Sequence, residues 1–380
     1  MSTSLLFLLV IVVIVAVVAF LVMRGRQPVA RAVQPRVAQP LPAQGVTPAG
    51  SGGGVAAGLA TAVSAATPAT PLVVPVIERT PPPPALAGLA WRPAADLPAE
   101  QLAALVMKLR QIPRPPTALQ ELVSPSFLNT ATSAQVSEVV MTEPALVARV
   151  LAAVNAPVYR LSTPITSVGQ GITFLGMNTV RGLAQRYLLA DSFPAGDAET
   201  RKRFDAIWSG AAVGNDLAGK LASALGLADG ATLATAVTLS FGGRLAMILL
   251  AGQQGQLISD EPALAPRLRD EQERFGLGTA ETVAVLLREW RLPDGVVERV
   301  RGIDRTLLEP LAALAPDEAL RRAVCYLAAR LGERLAAGTL ANLAAFDLAA
   351  SDDPDFHTLR MSLPAERIGL LMQALAKVAA

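Results

Sequence analysis

Fourteen of the chain's twenty-nine prolines fall between Arg24 and Pro98. Proline lacks a backbone donor and its ring clashes with the preceding helical turn, so helix and sheet interiors exclude it. Folded structure is therefore expected beyond that stretch, starting near Asp96-Leu97-Pro98-Ala99-Glu100, which reads as an N-capped helix start. Residues 24–95 read as a disordered Pro/Ala/Gly-rich linker, with polyproline-like runs such as Pro81-Pro82-Pro83-Pro84. A flexible chain of that length has a root-mean-square span of roughly 50 Å. Ser51-Gly52-Gly53-Gly54 lacks the Lys-Ser/Thr ending and the strand–helix context of a phosphate loop, and reads as linker too.

Ahead of the prolines, Leu5 to Met23 is nineteen residues without a charge. At 1.5 Å per residue this is roughly 28 Å, the thickness of a bilayer's hydrocarbon core. Only Met1-Ser2-Thr3-Ser4 precedes it, with no basic region, and no small-x-small cleavage site closes it, so a retained transmembrane helix at 5–23 is expected over a signal peptide. Arg24, Arg26, Arg31 and Arg36 follow with no acid among them. Positive charge stays on the cytoplasmic side. Residues 1–4 would then be extracytoplasmic and the C-terminal bulk cytoplasmic, on a bacterial inner membrane crossed once.

Beyond residue 96, helical periodicity recurs between short breaks, and no run alternates as a strand would. Candidate helices cover 99–111, 116–123, 133–141, 144–155, 165–174, 177–190, 198–225, 230–251, 264–275, 279–290, 294–302, 316–337 and 364–378. In the helix opened by Glu143-Pro144, residues Leu146, Val147, Val150, Leu151 and Val154 form one apolar stripe, and Asn155 stands at its C-cap. The fold class is all-α. A net charge of +2, with arginines spread through the helices, shows no concentrated basic face, so no nucleic-acid partner is expected. The one cysteine, Cys325, excludes an intramolecular disulfide and sits in an apolar helix face as a core residue.

The order of motifs resembles the HDOD family, helical relatives of the HD metal-dependent phosphohydrolases that mostly lack the metal site. The resemblance covers most of residues 105 to 380. It rests on Ile112-Pro113-Arg114-Pro115-Pro116, on Glu143-Pro144 with Leu146, Arg149, Leu151 and Asn155, and on the Phe174-Leu175-Gly176 turn. Ile207-Trp208, Phe275-Gly276-Leu277 and the run from Leu287 to Pro293 follow in family order. It implies a multi-helix HDOD/HD-like domain over 96–380, with a degenerate HD subdomain at about 198–305.

An HD enzyme holds one or two metal ions through a histidine, an adjacent His-Asp pair and a distal ligand. The ions supply a nucleophilic water at neutral pH. Here Ser209-Gly210-Ala211-Ala212 lacks the first histidine, and the resemblance places Ser240 and Phe241 where the His-Asp pair belongs. Gly278-Thr279-Ala280-Glu281 and Gly302-Ile303-Asp304-Arg305 also lack histidine. Gly242-Gly243 reads as a close helix approach. The chain's one histidine, His357, reads as exposed in a surface turn. Asp352, Asp353 and Asp355 lack the glycine and the closing glutamate of a Ca²⁺ loop and read as helix caps. Asp260-Glu261 and Asp270-Glu271 read as solvated helix-end charges. No catalytic, cofactor-binding or metal residues are therefore expected, and no enzyme. The resemblance implies a regulatory role, and with the anchor read from Leu5–Met23 the expectation is a membrane-tethered, non-catalytic signalling scaffold that gathers regulatory or signalling proteins at the cytoplasmic membrane face. The alternative is a metal-free sensor of a nucleotide or cyclic dinucleotide in the vestigial HD cleft, with Arg244 or Arg181 on a phosphate.

Overall fold

The computed structural model describes residues 74–380. The expected N-terminus, transmembrane helix and the linker up to residue 73 lie outside the described residues.

Local chemistry sets where each helix starts. Thr132 and Gln135 form a reciprocal capping box at the head of α4 (Ser133–Met141). Pro144 occupies the first turn of α5 (Pro144–Val154), where a missing N–H costs nothing. Asn155 ends α5 as expected: its Nδ2 donates to Leu151 O (2.9 Å) and to Ile165 O (2.8 Å), and its Oδ1 accepts from Ile165 N (2.7 Å). One amide side chain thereby pins the loop that leads to α6 (Val168–Leu175). Before these come α1 (Ala99–Leu109), α2 (Thr117–Leu122) and α3 (Pro125–Thr130). After them come α7 (Met177–Ala190) and α8 (Ala198–Ala224), the latter capped by Asp197, which accepts from Thr200 N. The chain continues through α9 (Gly230–Ser240), α10 (Gly242–Gln253), α11 (Leu264–Phe275), α12 (Thr279–Glu289) and α13 (Asp294–Arg305). It closes with α14 (Pro316–Ala336), α15 (Pro354–Ser362) and α16 (Ala365–Ala379). No strand occurs among the described residues.

Helices α4 to α7 pack on one another, with α2 laid against α7. The α5 stripe supplies Leu146, Val150 and Val154 to the buried core, while Val147 and Leu151 are half-buried. In the C-terminal half, α8 and α14 pack along their lengths with α9 beside both. Only glycine allows that approach: a Cβ on Gly332 would lie 2.7 Å from Gly214 N and 2.8 Å from Gly210 O. One continuous apolar cluster joins both halves.

Several expectations need correction. The span 230–251 divides at Phe241 into α9 and α10, at the Gly242–Gly243 pair. A Cβ on Gly243 would meet Thr279 O at 2.6 Å, so the expected close approach falls between α10 and α12. The segment 230–253 is apolar enough to cross a membrane, yet 89% of its most apolar window is buried inside the protein, as a core hairpin is. Two short helices, α3 and α15, lie outside the candidate helices, and each starts at a proline. Asp96 closes a 3₁₀ turn and caps nothing; α1 starts behind Pro98.

The largest correction concerns the expected linker, which does not stay free to residue 95. Residues 80–94 run as a strap over the C-terminal helices. Thr80 O lies 3.1 Å from His357 Nε2, and Arg269 Nη2 donates to Ala85 O and Ala87 O, both at 3.1 Å. Trp91 Nε1 and Ala94 N donate to the two oxygens of buried Glu281, at 2.8 and 3.0 Å. Leu86 and Ala94 are buried. His357 accordingly lies in α15 beneath the strap, 8% exposed, and not in a surface turn.

Candidate functional site: the vestigial metal cleft

Ser240 and Phe241 end α9 facing inward. Ser240 Oγ donates back to Val237 O at 2.7 Å, spending its proton inside the helix. The Phe241 ring is buried against α8: Cβ atoms built on Gly210 and Gly214 would lie 3.1 and 3.5 Å from its edge. The space beside Gly210 and Gly214 of α8 is thus taken by the Phe241 ring at the end of α9. A benzene ring offers a divalent ion no donor.

Beside the ring, from α14, stands Glu333, 4% exposed. Arg244 of α10 lies 2.6 Å from its Oε1 and Arg267 of α11 lies 3.1 Å from the same atom. Arg330 Nη1 reaches Oε2 at 2.5 Å without hydrogen-bond alignment, and Arg330 Nη2 lies 3.2 Å from Asp304 of α13. Arg267 also lies 3.7 Å from Glu271, whose carboxylate accepts from Thr279 N (2.7 Å) and Thr279 Oγ1 (2.6 Å). One turn on, Arg334 pairs with Asp353 (2.7 Å) and Asp355 (2.6 Å). Asp353 caps α15, one of the last helices, as expected, whereas Asp355 accepts from Leu264 N and Ala265 N and so caps α11 across space.

The electrostatics follow from burial and count. Burial alone would raise the Glu333 carboxyl, but the guanidiniums of Arg267, Arg330 and Arg244 outweigh it and hold the group at about 2. Burial lowers Arg330, yet Asp304 and Glu333 more than reverse this and raise it. Arg244 is lowered, first by burial and then by the charge of Arg267. Glu271 goes the other way: burial raises it, and Arg267 with the Thr279 donors recovers only part. Glu271 is therefore no solvated surface charge, which corrects the reading of Asp270-Glu271. Exposed Asp260 does pair at the surface, with Arg203 at 2.6 Å.

The residues at this place do not fit a metal. The nearest carboxylate, Glu333, already answers three guanidiniums, and a cation entering there would face all three. Among the described residues no three His, Cys, Asp or Glu side chains gather as a ligand set. A small cavity of about 270 Å³ opens here, lined by Arg203, Arg244 and Glu333 among others. The structure brings Arg244 to it, as the alternative reading required, but with its charge neutralised. Arg181 lies elsewhere, in α7. Cys325 is buried, as expected, and burial pushes its thiol up to about 12. The sequence reading missed Arg267, Glu271, Arg330 and Glu333. Their only signal is Arg-Glu spacing of three or four residues, which exposed helices also show.

The family model of the HDOD domain matches residues 112–305. Among solved structures, an HDOD domain protein of unknown function from Geobacter sulfurreducens is 15% identical, with 73% of this chain and 98% of that chain covered and a TM-score of 0.46. A protein from Shewanella amazonensis SB2B, named as a candidate phosphohydrolase, is 20% identical over 72% of this chain and 98% of that chain, with a TM-score of 0.41. One from Marinobacter aquaeolei VT8, named as a candidate signal transduction protein, is 18% identical over 72% and 64%, with a TM-score of 0.44. No curated protein matches the chain.

Proposed function

Because the chain belongs to the HDOD family, we propose that it is a non-catalytic signalling scaffold, held at the cytoplasmic face of the membrane by Leu5–Met23 and acting through contacts with regulatory or signalling proteins. The observation that carries the non-catalytic part is the Glu333 cluster. Phosphodiester hydrolysis in this fold needs a cation that lowers the pKa of a water. Here the corresponding space holds the Phe241 ring and an ion-pair network in which Glu333 already answers three guanidiniums. Protein contact is the output left to such a domain, and exposed Val158, Tyr159 and Phe174 give it apolar surface of the kind partners cover. Confinement to one membrane face raises the effective concentration of weakly bound partners.

The test replaces Leu5–Met23 with an unrelated single-span helix of the same orientation, in cells lacking the native chain. Local concentration predicts full rescue, and deletion of residues 1–23 predicts loss of the cellular role with partner binding retained. A correctly localised replacement that fails, or a deletion that works fully, refutes the scaffold reading.

A further inference from the structure

A second cleft, of about 760 Å³, opens between α7, α8 and α9; it shares no lining residue with the small cavity beside Glu333, though Ala211 and Ala212 of the segment without the first histidine line it. Its size suits a nucleotide-sized ligand. Small residues make the room: Gly182, Ala212, Gly219 and Ala231 line it. Three cations, Arg181, Arg186 and Lys220, face one carboxylate, Asp216. Lys220 pairs with Asp216 at 2.7 Å, which leaves the two arginines as the cleft's net charge.

Arg181 is the informative one. It is 3% exposed and has no carboxylate partner. Its Nη1 donates to Leu128 O at 3.4 Å and its Nη2 to the Asn178 side-chain oxygen, both neutral acceptors. Among the other buried arginines only Arg360 also lacks an acid, and it does not line this cleft. Arg267, Arg330 and Arg334 each have an acid, and Arg360 gives its Nη groups to Ala349 O and Thr80 Oγ1 outside this cleft. A guanidinium removed from water without a counter-charge is costly, and burial lowers the Arg181 pKa accordingly. An independent feature points to the same ligand. Met177, Asn178 and Thr179, the first turn of α7, also line the cleft. No side chain caps that turn and no acid stands in it. Unpaired backbone N–H groups and the positive end of the helix dipole therefore open onto the space that Arg181 lines, one turn further along the same helix.

We propose that this cleft is a binding site for a phosphate-bearing small molecule of nucleotide size, its phosphate seated between the first turn of α7 and Arg181. The phosphate displaces the neutral Asn178 oxygen from Nη2 of Arg181, a stronger charge-assisted contact, and the helix start supplies further backbone donors. Arg186 and Lys220 attract the anion from the rim. This site is independent of the scaffold reading: a silent cleft leaves the scaffold standing, and an occupied one adds a ligand that could govern it.

The test is thermal unfolding and calorimetric titration of the full chain with inorganic phosphate, pyrophosphate, GMP, AMP and the nucleosides guanosine and adenosine, each at millimolar concentration. Phosphate-bearing probes should raise Tm and nucleosides should not; a larger shift with one mononucleotide than with pyrophosphate identifies a base as part of the ligand. Two variants sharpen the result. Arg181→Met should weaken the best probe at least about tenfold. Asn178→Asp puts a carboxylate at the helix start beside Arg181, so it should raise the ligand-free Tm by about 1–3 °C while removing the phosphate response. Because Asn178→Asp suits the helix start, it decides the matter even if Arg181→Met does not fold. The proposal is overturned if no phosphate-bearing probe shifts Tm, or if the shift survives Asn178→Asp.

Discussion

Replacing Glu333 with glutamine tests the central electrostatic claim at one atom's cost in shape. The amide keeps the volume and one acceptor oxygen, but it leaves Arg244, Arg267 and Arg330 facing a neutral group, with two of its former contacts now opposite an NH₂ donor. Two routes give the magnitude. The carboxyl is held at about 2 against 4.5 for a free glutamate, which corresponds to about 3 kcal/mol. Removal of one partner from a buried ion pair costs about 3–5 kcal/mol. Both put Glu333→Gln at about 3 kcal/mol or more, a large share of an ordinary domain's stability. The pH dependence has a definite sign. A depressed carboxyl stabilises above its unfolded value, near 4.5, and the contribution is lost as pH falls toward 2. Urea denaturation of both chains should show a wide gap at pH 7 that begins to narrow below about pH 4.5. Glu271→Gln should behave in the opposite sense, because burial raises that carboxyl. Its ionised form weakens the fold at neutral pH relative to acid, so its neutralisation costs far less than that of Glu333. Equal stability of Glu333→Gln and the native chain at pH 7, or a gap that widens on acidification, refutes the reasoning.

Phe241→Asp should destabilise the domain by about 3–5 kcal/mol, through loss of the aromatic and burial of an acid, and elemental analysis should find no bound Mn, Fe or Zn in it. One bound metal per chain would show that the cleft can still assemble a site. Cys325, with its thiol pushed up to about 12 and no exposure, should resist thiol reagents at pH 8 until the chain unfolds. Labelling at the rate of a free thiol would place it outside the core.

The helices were legible because punctuation and periodicity agree locally: Glu143-Pro144 opens α5 and Asn155 closes it, and both signals lie within the helix they bound. Two short helices escaped the candidate list although proline opens each. Pro125 and Pro354 each occupy the first turn of a helix, a place proline suits as well as it suits a break. The strap was illegible for another reason. Its composition is that of a free linker, and what fastens it, such as Trp91 on Glu281, comes from helices 190 residues away in sequence. In the vestigial cleft the absences could be read directly, since Ser240 and Phe241 name themselves. What fills the space could not, because Glu333 draws its three arginines from α10, α11 and α14.

The strap also has a mechanical side. Its fastenings come in order along the chain: His357 and Arg360 at Thr80, then Arg269 at Ala85 and Ala87, then Glu281 at Trp91 and Ala94. A pull from the N-terminal side reaches them one at a time, so they open like a zipper and not like a seam torn at once. Each of these fastenings carries two hydrogen bonds, helped by Arg92 Nη1 on Gln272 O and by buried Leu86 and Ala94, whereas α1 beyond them packs as a whole helix on α10 and α12. Tension on the chain therefore pays out the strap before it disturbs a helix. About fifteen residues released at about 3.5 Å each span at most roughly 50 Å. On the tether proposed above, docked and undocked straps would give the domain two different radii around its anchor.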